Sequence, residues 1–319
     1  MKKIIAFTVV LCLLSLHLFP VETIVFKDSV DYLETLTKGG SYFRILKDID
    51  YDNGYLYILD MRLCTVIVVD FDTGKRIRTI FTRGQGPNEL MRPVNLKVKN
   101  NKVFVMDQGF NGIKIADVNG NPVREFRING IVVERNLDVN DKGEIFVGEF
   151  DSITKTYVSV YNMDGVRQRT LIKINPGEKF PNERIHYLLR LDNQGNIVLL
   201  FNVLRELMKY SQNGELIWKR KIKNELLDKA AKSGVKSRRK GAINVRIHVS
   251  SLQITKKNNI LVGHAYGGSL FDQHGNLKYL ITDDHNYGID TFVLIDNKLI
   301  NSLIFGEVIL LYDTKEKIQ

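Results

Sequence analysis

Seven polar residues stand where β-type runs of the sequence begin, and these are the positions at which the chain could bind a ligand. They are cations, an amide and imidazoles, with a single carboxylate. Cations and amides recognise anionic or hydrogen-bonding groups, whereas a metal site needs several oxygen or nitrogen ligands together. The pattern favours ligand binding over catalysis. The residues are Arg44, Asn95, Arg135, His186, Arg246, His248 and Asp290.

Signals for covalent or metal chemistry are weak elsewhere in the sequence. The histidines downstream of the N-terminal segment show no ligand spacing such as H-x-x-x-H, and no Ser-His-Asp set follows from their order. Cys64 is the one cysteine outside the apolar N-terminal run, so no disulfide can form within the body of the protein. We expect Cys64 to be a small buried hydrophobe. We therefore predict no catalytic residue and no cofactor.

One segment carries nearly all of the excess positive charge. Residues 219–246 contain eleven Lys or Arg against Glu225 and Asp228, a net +9 within a chain of net +10. Residues 224–233 have the caps of a short helix, and a basic loop follows, so we predict a helix–loop insertion at about 223–243. Such a segment attracts an anionic partner through Coulomb attraction. The predicted contacts are Lys232, Lys236, Arg238, Arg239 and Lys240.

The elements that must position these residues repeat along the chain. Asn-Gly, Asp-Gly and related turns recur twice in each unit, and the second of the two has a period in the mid-forties. These residues tolerate the positive φ of tight hairpins. A mainly apolar run follows each first turn, and a Lys/Arg-rich run follows each second turn. This arrangement predicts an all-β, six-bladed β-propeller of four-stranded antiparallel blades.

Six units can be placed, and the last of them lacks a good fourth strand. We expect the N-terminal run Glu22–Phe26 to supply it by pairing with residues 307–312, because this pairing would close the ring and remove an open edge. Residues 21–319 then form a single propeller, which we expect to be a monomer. The units are 44–81, 94–128, 135–173, 186–222, 246–281 and 289–319.

The linker before the second unit has a recognisable sequence. Gly84, Gly86, Pro87 and Glu89 match the G-x-G-P-G-E-F signature, with Asn88 and Leu90 in place of its last Gly and Phe. This stretch resembles the inter-blade linker of NHL-type six-bladed β-propellers, as found in exported bacterial members. The glycines permit a sharp change of direction, and we expect Leu90 to fill the seam between two blades. A phosphate-binding loop would need a following helix and lysine, which are missing.

The resemblance implies that ligands bind on the face that carries the inter-blade linkers. The seven polar residues named above would line the channel mouth there and would bind a protein, a glycan or another anionic ligand. Propellers of the lactonase type hold a divalent metal at that mouth. The alternative is therefore a hydrolase or lyase with Ca²⁺ or Mg²⁺ held by Asp290, with Glu149, Asp60 and Asp107 on nearby loops.

The N-terminus has the pattern of an export signal. Lys2 and Lys3 precede an apolar run, Ile4 to Phe19, which is shorter than the roughly 20 residues of a comfortable transmembrane helix. Residues 1–20 are predicted to be a signal peptide, or else an uncleaved anchor that is the protein's one attachment to the membrane. Either alternative places the body in the periplasm or outside the cell, which argues against a nucleic-acid partner.

Overall fold

The computed structural model describes residues 22–26, 30–31, 45–150, 156–173, 187–201, 205–223, 249–264, 267–283, 291–295, 298–302 and 309–313. The regular elements in these ranges are all β-strands. Within them there is no helix that is long and apolar enough to cross a membrane. Two short strands come first, β1 (Glu22–Phe26) and β2 (Val30–Asp31).

Six sheets follow one another along the chain, and each forms one blade. The first three blades take their four strands consecutively, from the inner strand to the outer strand. Blade one contains β3 (Leu46–Asp52), β4 (Tyr55–Asp60), β5 (Thr65–Asp70) and β6 (Arg76–Ile80). The linker strands β7 (Thr82–Arg83) and β8 (Glu89–Leu90) come next. Blade two contains β9 (Pro93–Lys99), β10 (Lys102–Asp107), β11 (Gly112–Asp117) and β12 (Pro122–Arg127). Blade three contains β13 (Ile131–Val139), β14 (Ile145–Phe150), β15 (Thr156–Tyr161) and β16 (Arg167–Lys173).

The remaining three blades repeat the arrangement. Blade four contains β17 (Tyr187–Leu191), β18 (Ile197–Phe201), β19 (Glu206–Tyr210) and β20 (Leu216–Lys221). Blade five contains β21 (Val249–Ile254), β22 (Ile260–His264), β23 (Gly267–Phe271) and β24 (Leu277–Asp283). Blade six contains β25 (Thr291–Ile295), β26 (Lys298–Ser302) and β27 (Ile309–Asp313). Each inner strand contacts the inner strands of both neighbouring blades, and β25 contacts β3, so the ring is closed. The predicted helix at 224–233 lies outside the described residues.

The N-terminal strands add to two different blades. β2 pairs antiparallel with β27, with Val30 opposite Leu311, and so supplies the fourth strand of blade six. β1 instead pairs in parallel with β24 and becomes a fifth strand of blade five. The prediction that residues 22–26 close blade six was therefore wrong. The N-terminal segment does close it, but with the next strand along the chain, while the stronger β-forming run covers the edge of β24.

The local sequence explains the hairpins. Positive φ angles occur at Asn53 and Gly54, at Asn100 and Asn101, and at glycines of the later turns, as the turn residues predict. The second strands β4, β10, β18 and β22 are buried almost throughout, because each is covered by blades on both sides. The outer strands β12 and β20 are mostly exposed and carry Lys or Arg. Charge at such an edge protects it from pairing with other chains.

The hydrophobic core is divided into layers, each lying between two blades. Blade one packs on blade six through Ile49 and Ile300, and four further layers join blades one to five in sequence. The linker before blade two contributes to one layer, because Leu90 is fully buried between blades one and two. This result confirms the seam role predicted for Leu90. The backbone N–H of Gly86 donates to the Glu89 carboxylate at 2.7 Å and fixes the turn.

Replacing Leu90 by alanine tests whether this seam stabilises the ring. We expect Leu90→Ala to lower the free energy of unfolding by about 3 kcal/mol, because it leaves a cavity between two blades that cannot collapse freely. Leu216→Ala is the matched control, because Leu216 is 55% exposed on an outer strand, and its cost should stay within about 0.5 kcal/mol. Urea unfolding measures both values. Equal costs would contradict the seam role.

Candidate functional site

The inner strands place one residue each at the same level of the central channel. The level is defined by pairing with the second strand of the same blade, for example Asp50 opposite Tyr57 and Lys97 opposite Phe104. Blades three to five supply Asp138, Arg190 and Gln253 in the same way. We call Asp50, Lys97, Asp138 and Arg190 the charged ring. Its charges alternate in sign from blade to blade.

Acidic and amide side chains of this surface tie neighbouring inner strands together. The Asp50 carboxylate accepts a hydrogen bond from the Val98 backbone N–H at 2.7 Å, and that of Asp138 accepts one from Leu191 N–H at 2.9 Å. One level deeper, Asp48 accepts from Leu96 N–H at 2.9 Å and Asn95 accepts from Leu137 N–H at 2.8 Å. Inner strands have no further strand beside them, so these bonds satisfy backbone donors that would otherwise be unpaired.

Lys97 lies between two carboxylates of the charged ring. Its ammonium nitrogen is 3.6 Å from Asp50 Oδ2 and 3.4 Å from Asp138 Oδ1, and 23% of its side chain is exposed. Burial alone would lower the pKa of Lys97, but attraction to Asp138 and Asp50 outweighs it and raises that pKa. Burial raises the pKa of Asp50, and the charge of Lys97 opposes that effect. Three charges from three blades therefore form one ion cluster.

Arg190 is bonded differently from Lys97. Its guanidinium donates through Nη1 to the carbonyl oxygen of Leu189 at 2.8 Å. Among the residues that the structure describes, no carboxylate lies within salt-bridge distance of it. A guanidinium has several N–H donors in a planar fork, which matches the two oxygens of a carboxylate. Arg190 therefore keeps donors available at the channel.

A cavity of about 510 Å³ opens beside the charged ring, at the end of the channel where the inner strands finish. Its walls come from the inner strands of blades one to five and from the hairpin turns of blades three and four. Asp192, which lines this cavity, forms a buried ion pair with Lys209 at 2.7 Å. Burial would raise the pKa of Asp192, but hydrogen bonds from Lys209 and Asn196 lower it. The other polar residues of the cavity are Lys99, Asn140, Asp141, Lys142, Asn193, Gln194, Gln212 and Gln253.

Two polar side chains on the inner strands lack partners in the described part of the chain. Both side-chain polar atoms of Asn136 are buried without a hydrogen bond, and so is Oγ of Ser251. Asn136 comes two residues before Asp138 on β13, and Ser251 two residues before Gln253 on β21. A buried polar group without a partner costs about 1–3 kcal/mol. The channel level beneath the charged ring is therefore polar and can accept hydrogen-bonding groups or water.

The structure describes few of the sequence-predicted site residues. Asn95 is fully buried and joins inner strands, bonding Asp48 and Leu137, so its role is structural. Arg135 lies within β13. The remaining mouth residues lie outside the described residues, as do all five contacts of the basic insertion, and they stay predictions. They are Arg44, His186, Arg246, His248 and Asp290, and Lys232, Lys236, Arg238, Arg239 and Lys240.

Three carboxylates that the sequence placed near a metal are engaged in structural bonds. Asp60 and Asp107 accept backbone N–H bonds that shape the loops after their strands, such as Leu63 N–H to Asp60 at 2.8 Å. Glu149 accepts from Tyr161 O–H at 3.0 Å and from Ser159. Within the described ranges, no group of three His, Cys, Asp or Glu side chains could hold a metal ion. The metal alternative depends on Asp290 and stays a prediction.

Two groups with intrinsic reactivity are buried in packing roles. Cys64 is 1% exposed and its thiol donates to the Met91 carbonyl oxygen at 3.3 Å, which confirms the prediction of a small buried residue. Burial raises the pKa of Cys64, so the thiolate is disfavoured. His264 is fully buried against Ser269, and burial lowers its pKa to about 4. It is therefore neutral at pH 7.

Comparison with known families identifies the fold. The model of a family described as a 6-bladed beta-propeller matches residues 24–163. This match and the six sheets agree, and the chain is a six-bladed β-propeller. The family match does not confirm the predicted NHL type. No curated protein matches the sequence.

Solved structures show the same architecture at low sequence identity. A Bacteroides vulgatus protein aligns with a TM-score of 0.62 at 10% identity, over 91% of this chain and 96% of that chain. A Bacteroides fragilis protein described as exported aligns with a TM-score of 0.61 at 13% identity, over 92% and 98%. An inactive virginiamycin B lyase from Staphylococcus aureus, solved with quinupristin, gives 0.56 at 12% identity, over 92% and 90%. At these identities the likeness concerns the fold.

The charged ring was not predicted, because the candidate residues of the channel mouth all stand at the starts of the inner strands. The signal was present near their ends. Asp50, Lys97 and Arg190 each occupy a polar position between apolar neighbours, shortly before the first turn of the blade. Aligning the six units on that turn would have placed the alternating charges at one level.

Replacing Lys97 by methionine tests the ion cluster. At pH 7 we expect Lys97→Met to cost about 3 kcal/mol, because it leaves Asp50 and Asp138 facing each other with no cation between them. Because the two carboxylates raise the pKa of Lys97, the stabilisation of the fold by this ion cluster is complete below pH 10.5. It is lost as the pH rises through the raised pKa. The difference in free energy of unfolding between wild type and Lys97→Met should therefore become smaller above about pH 10.5. Urea unfolding at several pH values measures it.

Lys99→Met is the control for this variant. Lys99 pairs with Asp141 at 2.6 Å, but the Asp141 side chain is 85% exposed. The variant should therefore lower the free energy of unfolding by no more than about 1 kcal/mol. Equal losses for the two lysines, or a Lys97 effect that does not change with pH, would contradict the ion cluster.

Proposed function

We propose that the chain is an exported binding protein that takes a small polar molecule into the cavity at the charged ring. The observation that carries the proposal is the cavity itself, about 510 Å³ in volume and walled by charged and amide side chains of several blades. Binding sites for small molecules span roughly 300–1,000 Å³. The walls stand on inner strands and tight turns, so the site is rigid before a ligand arrives.

The bonding of the cavity's acids favours binding over catalysis. Asp50 and Asp138 each accept backbone N–H bonds and also face Lys97. Asp192 accepts from Gln194 and Asn196 and pairs with Lys209. A general base must be free to take a proton from the substrate. Carboxylates held in this way are fixed in place and are not free to accept a proton. They suit the recognition of a polar ligand better than general-base catalysis.

Export is supported by two observations. The N-terminal sequence has a basic start followed by an apolar run, which is typical of signal peptides. The Bacteroides fragilis protein with a similar fold is described as exported. We propose a periplasmic or secreted location, with membrane attachment only where residues 1–20 are retained.

A second partner could bind through the basic insertion. The net charge of +9 over residues 219–246 begins at the end of β20 and extends over the sequence that follows blade four, and it would attract a glycan or an acidic protein surface. This partner would use the linker face, at the start of the inner strands, whereas the cavity opens where those strands finish. The two proposals therefore concern different surfaces and can be tested apart.

Blocking the cavity mouth tests the small-molecule proposal. A library of amino acids, organic acids, phosphates and sugars is first screened for compounds that raise the melting temperature. A ligand at about 100 times its Kd stabilises by about 2.7 kcal/mol. Gln212→Cys, labelled with a bulky maleimide, should abolish this stabilisation, because Gln212 lines the cavity. Cys64 is buried and should not react.

Gln273→Cys is the matched control. Gln273 occupies the same turn position in blade five, is exposed, and lies away from the cavity. Its label should leave the stabilisation unchanged. The proposal would be refuted by a screen in which no compound stabilises the protein, or by equal loss with both labels.

A further inference from the structure

We infer that the ligand of the cavity carries a carboxylate and that Arg190 binds it. This inference rests on the proposed function and adds the chemical class of the ligand. It follows from the difference between the two cations of the charged ring. Lys97 lies between two carboxylates, whereas the hydrogen bond that Arg190 makes within the described residues goes to a backbone carbonyl oxygen.

The position of Arg190 makes its open donors accessible from the cavity. It belongs to β17 and is one of the residues that line the cavity. It is only partly buried, so its guanidinium is partly shielded from water but still within reach of a ligand. Its bond to Leu189 fixes one corner of the guanidinium, and no other residue in the described part of the chain bonds to its remaining N–H groups. Charge-assisted bonds to such a group are stronger than neutral ones.

The charges around Arg190 favour a single negative charge on the ligand. Asp50, Lys97 and Asp138 together carry one net negative charge, and Arg190 balances it without touching it. A carboxylate that meets Arg190 adds one negative charge beside the one cation of the charged ring that has no carboxylate partner among the described residues. A phosphate dianion would bring a second charge close to Asp138, which the Leu191 N–H holds beside β17. Like charges at short range in a partly buried site repel strongly.

The neighbouring amides suit the rest of such a ligand. Gln253 is the next residue of the same channel level and donates to the Phe292 carbonyl oxygen at 3.0 Å, which leaves its own amide oxygen to accept. Gln212 and Asn140 also line the cavity. A small organic acid with an amino, amide or hydroxyl group would therefore satisfy both Arg190 and an amide oxygen.

The ligand class is tested with the same library, now scored by chemistry. Carboxylic acids should stabilise the protein, while inorganic phosphate, sugar phosphates and neutral sugars should not. For the strongest acid, titration calorimetry should give an affinity about 10- to 100-fold weaker for Arg190→Gln than for wild type. Arg190→Lys should recover part of the loss, because it restores the charge but not the planar fork.

Arg220→Gln is the matched control. Arg220 lies on the outer strand of the same blade and also donates to the carbonyl oxygen of the residue before it, at 3.1 Å. The affinity of Arg220→Gln for the same acid should equal that of wild type. Urea unfolding of each variant shows whether it is folded. If a neutral or phosphorylated compound binds, or if Arg190→Gln keeps full affinity for the acid, the inference is overturned while the proposed function stands. If nothing in the library binds, both are overturned.

Discussion

The structure depends on hydrogen bonds that run from side chains of one inner strand to the backbone of the next. A propeller closes around a channel whose lining strands have no further strand to pair with. Here Asp50, Asp138 and Asn95 supply the missing acceptors, each to a backbone N–H of the following blade. The apolar layers between blades supply most of the stabilisation, but they do not fix the height at which one blade meets the next. The polar bonds fix it.

The same bonds explain why the channel carries its charges at one level. A carboxylate that must reach the next blade cannot turn away from the channel, so it stays close to cations of that blade. Lys97 is held by two such carboxylates, and its pairing offsets the cost of burying them. Arg190 has no carboxylate partner among the described residues, so it is the open position of the charged ring. Structural bonding and ligand recognition therefore share residues.

The sequence predicted the repeat, the number of blades and the order of strands, because turns at Asn-Gly and Asp-Gly and the burial of second strands are local effects. It also predicted that Leu90 fills a seam. It misassigned the closing strand, because residues 22–26 and 30–31 both have a β pattern and only the geometry of two neighbouring edges decides between them. The charged ring depends on the register between four separate inner strands. No single stretch of sequence contains that information.

The most direct measurement is a crystal structure of the protein with the carboxylic acid that stabilises it most. The account predicts electron density for the acid in the cavity where the inner strands finish, with its carboxylate against the guanidinium of Arg190. It also predicts that Lys97 stays between Asp50 and Asp138. Density on the linker face with the cavity empty, or an acid that binds in the cavity without contacting Arg190, would contradict it.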